Sequence, residues 1–207
     1  MQAATKLEWV RWIRLLVAGL ALAAVAAPII NGSASPLGNY FGYFTIWSNI
    51  AAAAVLLIGA LRNPRGHVWQ WIRGAVTTAM VITGLGYALL LDGAADDWVN
   101  TVVHRIMPVV VLIDWCLVAP GRLSRLAWLD WMVFPTIFVG YTTIRGAFTD
   151  WYPYPFLDPR ADGYEAMFTE VVILFVVMTL LSLAVWLAGT ASARLLRRDK
   201  RPLESTR

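Results

Sequence analysis

Charge is scarce in this chain, and so are the residues that hold metals or close disulfides. Of 207 residues only 14% are charged, against 59% hydrophobic and 13% aromatic. Disorder needs the reverse balance, and a soluble globule needs more charge than this, so both are excluded. The single cysteine, Cys116, lies in an apolar run, which excludes an intrachain disulfide and any CxxC metal or redox motif. Only two histidines occur, His67 and His104. The formal charge of +4 comes from basic residues at the ends of apolar segments, not from one basic face of a folded domain, so nucleic acid is not an expected partner.

What the chain does have is long apolar segments. They run from Trp9 to Ile30, Tyr43 to Leu61, Trp71 to Leu91, Val99 to Ala119, Leu126 to Gly146 and Met167 to Ala191. A bilayer span takes about 20 apolar residues, so an all-α, polytopic membrane bundle of six transmembrane helices is expected over residues 1–193. No soluble domain fits in the remainder. Fourteen of the seventeen Lys and Arg residues fall on one side of such a bundle, with only Arg105, Arg145 and Arg160 on the other. Positive charge is retained in the cytoplasm, which puts both termini there. Residues 194–207 then form a basic cytoplasmic tail, expected to be disordered and to touch lipid headgroups. Arg11, Arg14 and the string Ala24-Val25-Ala26 also resemble a cleavable signal peptide, but the apolar run continues to Ile30 and favours an uncleaved first helix. Trp9/Trp12, Trp69/Trp71, Trp128/Trp131, Trp98 and Trp151 stand at the expected boundaries, as interfacial anchors do. The localisation that follows is multi-pass in a membrane, with membrane lipids as the first partners.

Polar groups inside spans are costly, so they mark where function would lie. His67 belongs to a basic connection and reads as a surface residue. His104 lies about one turn into the fourth helix from the outer face, across roughly 30 Å of hydrocarbon from His67, so no metal or haem is bridged between them and no cofactor is expected. His104 either bonds a neighbouring carbonyl or serves as an acid/base group. The second helix enters from the same face with Thr45, Ser48 and Asn49; Thr45 and Asn49, four residues apart, share a helical face. Thr45 and His104 should lie at comparable depths, although spacing leaves a packing role for Thr45 open. Asp114, ten residues beyond His104 and so about 15 Å deeper, needs a partner, as part of either the packing or a transport path. Arg145 is expected to pair with Glu170 or Asp150. The connection before the last helix carries Trp151, Tyr152, Pro153, Tyr154, Pro155 and Phe156. Its prolines forbid regular helix and its aromatics suit the headgroup level, as a cap over the outer mouth or as an interfacial plug.

The order of YFT in the second helix (Tyr43 to Thr45), His104 ahead of an apolar proline-containing run, and Tyr154-Pro155-Phe156 before the last helix resembles the androgen-induced family of integral-membrane threonine hydrolases. It resembles still more closely bacterial six-span membrane proteins of the same layout. The resemblance implies hydrolysis of fatty-acid esters of hydroxy fatty acids, an amphiphilic ester as substrate, a bacterial plasma membrane as location, and the nucleophile and base on Thr45 and His104. Asn49, Ser48 or a backbone N–H would then hold the oxyanion or position the substrate. The spacing from His104 to Pro108 departs from the animal proteins, and a change of helix register there would rotate His104 relative to Thr45. A small-molecule or proton-coupled transporter using His104 and Asp114, and a non-catalytic scaffold or lipid-binding protein, are the competing readings.

Overall fold

A computed structural model describes residues 2–90 and 97–198. Six principal helices follow in order: α1 (Gln2–Ile30), α2 (Phe44–Leu61), α3 (His67–Leu90), α4 (Trp98–Leu117), α5 (Val133–Thr149) and α6 (Pro159–Arg198). Single helical turns at Leu37–Tyr40, Ala127–Asp130 and Pro155–Leu157 lie in the connections, and no strand occurs among the described residues. Most of the basic tail, along with Asp92 and Asp96, lies outside the described residues; Arg194 to Arg198 continue α6 as helix.

Five of the helices are long and apolar enough to cross a bilayer, so the chain is an integral membrane protein. The segment expected to span from Leu126 to Gly146 differs. Its first residues form the separate turn Ala127–Asp130, and α5 begins only at Val133, leaving 17 residues, or about 25 Å of helix. Trp131 explains the late start. Expected as an interfacial anchor, it is instead 1% exposed, edge-on to Trp115, and its ring fills the space where Gly74 of α3 has no side chain. The chain is pinned to the bundle there before it can turn into a helix.

Small residues bring the first two spans together. Ala18, Ala21 and Ala24 of α1 recur every three residues and pack on Ala52, Ala53 and Leu56 of α2, all nearly or wholly buried. Alanines let helix backbones approach closely, and in lipid this van der Waals contact replaces the hydrophobic drive available in water. A second cluster, Trp115, Trp131, Ala127 and Val185, fastens α6 to α4, with Trp115 Nε1 donating to the Val185 carbonyl at 3.0 Å. Outward faces carry Leu16, Ile137, Ile144, Phe148 and Leu180, the surface that lipid tails cover.

The helices alternate in direction, so one end of the bundle gathers the starts of α2, α4 and α6, and the opposite end gathers their finishes. Asp114 belongs to the opposite end, three residues before α4 stops, and not to the middle of the membrane. Arg14 grips both its carboxylate oxygens, at 2.6 and 2.9 Å, and Arg73 donates to one of them at 3.1 Å. These arginines, which the charge count treats as boundary markers, are 6% and 4% exposed. Their remaining donors meet the carbonyls of Gly59 and Val118 and the side chain of Gln70. The carboxylate thereby ties α1, α3 and α4 together. Removing one member of a buried ion cluster leaves uncompensated charge, worth about 3–5 kcal/mol. Asp114→Ala is therefore expected to lower stability by about that amount, read as a fall in the thermal or denaturant midpoint in detergent. Replacing an exposed residue such as Leu16 by Ala serves as the control, and equal effects would show that the two guanidinium groups do not need their carboxylate.

Candidate active site

Proline 108 shapes the start of α4. Residues Thr101–Ile106 form a π-helical turn, in which the Met107 N–H reaches back five residues to the Val102 carbonyl. Pro108 has no N–H to offer either. The carbonyl of Val103 thus loses its donor four residues on to Val102, and the residue five on is the proline. Its partner comes from the neighbouring helix: Asn49 Nδ2 of α2 donates to it at 3.1 Å and to the Thr45 carbonyl at 2.8 Å. One amide group thus holds α2 against the π turn. Gly84 of α3 lets that turn come close, since a Cβ there would press on the Pro108 ring and the His104 carbonyl.

This staple sets two side chains face to face. Thr45 Oγ1 lies 3.1 Å from His104 Nε2. The hydroxyl donates to Nε2 when the ring's proton is on Nδ1, which is buried and turned toward the Asn100 carbonyl one turn earlier without reaching full hydrogen-bond geometry. Tyr87 of α3 stacks on the imidazole with centroids 4.2 Å apart and planes at 17°, which fixes the ring's tilt. Arg105 lies over Tyr87, 5.8 Å from its centroid.

Ser48 and Asn49 do not face the site as oxyanion donors. Both amide hydrogens of Asn49 are spent on backbone carbonyls. Ser48 Oγ is buried 3.0 Å from the Thr45 carbonyl and 2.8 Å from Thr83 Oγ1. Neither lines the cavity described next, so what they do is hold Thr45 in place.

Beside the Thr45 hydroxyl lies a cavity of about 630 Å³, counted with its open mouth. Ile82, Phe138, Val139, Leu174 and Met178 give it apolar walls from α3, α5 and α6. Polar atoms come only from its one corner, where Thr45, Thr83, Tyr87, His104 and Tyr154 meet. This is the usual composition of a site for an apolar ligand held at one polar point.

The Trp151 to Phe156 connection covers that corner. Pro153 is buried and Pro155 opens the short turn Pro155–Leu157. Tyr154 and Phe156 stack with centroids 5.2 Å apart and planes at 6°, and both line the cavity. The Tyr154 hydroxyl accepts from the backbone N–H of Phe44 at 3.1 Å and is flanked by the side chain and N–H of Thr45. Burial pushes its pKa up to about 12, so it stays protonated at neutral pH. Tyr152 lies over Gly146, where a Cβ would collide with its ring. Arg145 does not pair with Glu170 or Asp150: it donates to Asn39 Oδ1 at 2.8 Å and lies over the Trp151 ring at 4.8 Å. Asp150 faces Arg160 at 3.6 Å instead. His67 is exposed at the start of α3, at the far end.

Asn49 has a testable role. Asn49→Leu strands two buried carbonyls, each costing about 1–3 kcal/mol, and frees α2 to shift against the π turn. Folded protein is expected at reduced stability, with the reactivity of Thr45 toward a fluorophosphonate probe at least about tenfold slower. Unchanged labelling in a destabilised variant would separate the staple from the geometry of the pair.

Comparison of the chain with family models, with curated proteins and with solved structures finds no match to any of them.

Proposed function

We propose that this protein is an integral-membrane hydrolase of lipid esters, with Thr45 as nucleophile and His104 as its base. The observation that carries the reading is the 3.1 Å contact between the Thr45 hydroxyl and His104 Nε2 at the polar corner of an apolar cavity. A threonine hydroxyl is a weak nucleophile on its own and needs a base within hydrogen-bond reach, which this distance provides. The apolar walls suit acyl chains, and the polar corner is the one place where an ester group would find donors.

The chemistry follows the geometry. Thr45 Oγ forms a bond to the ester carbonyl carbon while its proton passes to His104 Nε2. The tetrahedral adduct then collapses, breaking the bond to the leaving alcohol, which takes that proton from the imidazolium. Water then gives a proton to His104 Nε2 as its oxygen bonds to the acyl carbon; the bond from that carbon to Thr45 Oγ breaks, Thr45 Oγ takes the proton back from the imidazolium, and the acid leaves. Fatty-acid esters of hydroxy fatty acids, the class that the resemblance to the androgen-induced hydrolases implies, have the required shape: an ester between two long chains, which enters from the lipid. In this reading all six helices cross the membrane, α5 as the shortest, both termini face the cytoplasm, and the site opens toward the outer leaflet of a bacterial plasma membrane.

Asp114, on which a proton-coupled carrier would turn, is held by two arginines at the end remote from His104. A scaffold would need no base beside Thr45.

Thr45→Ala is expected to abolish ester turnover and fluorophosphonate labelling, by at least about 10³-fold, with the thermal midpoint close to wild type. Thr45→Ser should keep part of the activity, and His104→Ala should lose turnover while remaining folded. Labelling that survives in the Thr45→Ala protein removes the assignment.

A further inference from the structure

The nucleophile's neighbours include a group that the dyad leaves idle. Tyr154 places a hydroxyl at the N-terminus of α2 from a different part of the chain. A tyrosine hydroxyl has one proton and two lone pairs. Here the Phe44 N–H occupies a lone pair at 3.1 Å, which fixes the oxygen and leaves the proton available. The N–H of Thr45 belongs to the first turn of α2, where donors find no carbonyl within their own helix. The Thr45 N–H and side chain are directed at the same oxygen, which sets the Tyr154 hydroxyl next to the Thr45 hydroxyl.

The Tyr154 hydroxyl sits where negative charge would develop. When Thr45 Oγ adds to an ester, the carbonyl oxygen becomes an oxyanion about one bond length from the carbon under attack. It needs donors close to the nucleophile and fixed before reaction. Asn49 and Ser48 are committed elsewhere. The positive end of the α2 dipole points the same way.

We propose that Tyr154 is a catalytic residue, its hydroxyl donating to the oxyanion in a hole that is completed only when the aromatic cap is seated on α2. The inference rests on the hydrolase reading of Thr45 and His104. Its ring is held by Phe156, by Tyr43 at 6.0 Å and by Phe138 at 6.5 Å, contacts that do not involve the hydroxyl. The cap is thus part of the reaction centre as well as its cover. The substrate's carbonyl is gripped by the cap while its chains lie in the cavity below.

Tyr154→Phe isolates the hydroxyl, because every ring contact survives. The experiment uses full-length protein in detergent with a long-chain p-nitrophenyl ester and the matched ester carrying sulfur in place of the carbonyl oxygen. Thr45→Ala is run first. If wild type does not hydrolyse the oxygen ester, or if Thr45→Ala retains turnover, the hydrolase reading falls and the role of Tyr154 with it. If only wild type is active, Tyr154→Phe is expected to lower kcat about 10²- to 10³-fold with little change in KM. It should also shrink the preference for oxygen over sulfur, since sulfur accepts hydrogen bonds poorly. An unchanged kcat, a loss confined to KM, or an undiminished oxygen preference overturns the assignment of Tyr154 and leaves Thr45 and His104 standing. Should Tyr154→Phe fail to fold, a ring-fluorinated tyrosine at 154 keeps the hydroxyl and strengthens it as a donor. Turnover must then change with donor strength, and turnover indifferent to it overturns the proposal.

Discussion

The carbonyl of Val103 has no donor in its own helix, because the Met107 N–H is drawn to Val102 and Pro108 has none to give. Where that carbonyl finds a partner decides the geometry of the whole polar corner. Asn49 supplies it, and because the same amide also binds the Thr45 carbonyl, the first turn of α2 is set against the π turn of α4. A π turn holds one residue more than an α turn, so it shifts the phase of the residues on its two sides by about 100°. His104 lies inside that turn, and its ring points at Thr45. Single π turns are common at functional sites because they aim a side chain that a regular helix would send elsewhere.

The two ends of the bundle solve opposite problems. At the far end, Asp114, Arg14 and Arg73 bring charge into a region that disfavours it, and the donors of both arginines are largely satisfied by carbonyls and by Gln70. The result is a cluster in which both arginines hold one carboxylate. At the site the polar side chains that line the cavity are hydroxyls and an imidazole, and none is a carboxylate, guanidinium or ammonium group. The backbone donors at the start of α2 are met by Tyr154 and Tyr43, and the Tyr154 proton is left over.

Much of this was legible from residue spacing, and some of it was not. The apolar runs mark the helices, and the spacing of Thr45 and Asn49 puts them on one face of α2. The depth match of Thr45 and His104 follows from their places near the starts of helices that begin at the same end. Lateral adjacency is a different matter, since nothing in one helix's sequence says which face its neighbour offers. Pro108 carried the missing signal, because a proline inside a span always strands a carbonyl that some other group must satisfy. Asn49 was readable as polar and buried, but its donors could be counted as spent only once Val103 was known to need one. Trp131 and Arg145 misled for a related reason. Trp131 reads as an interfacial anchor and Arg145 as half of an ion pair with Glu170 or Asp150, and in each case a specific tertiary partner, the gap at Gly74 or Asn39 with the ring of Trp151, takes its place. Tyr87 and Thr83 gave no signal at all, being ordinary residues in a span until His104 and Ser48 are placed beside them.

Thr45 is the second residue of its helix, and that position reconciles requirements that a membrane otherwise sets against one another. Deeper in a span, the N–H of a threonine is consumed by the helix and its hydroxyl bonds the preceding turn, as Thr77 and Thr143 do. Such a residue has neither a free hydroxyl nor a free N–H beside it, and no water to complete a hydrolysis. In loop outside the bundle it would have water but no apolar cavity and no fixed base. The first turn of α2 is where backbone donors can meet a group from outside the helix, as the Phe44 N–H meets Tyr154, and where the hydroxyl can turn to a histidine on another helix. Among the described residues no carboxylate bonds the His104 ring. Stacking on Tyr87 and the facing Asn100 carbonyl take that place, which adds no further charge to the buried Asp114, Arg14 and Arg73 while keeping Nε2 directed at the threonine.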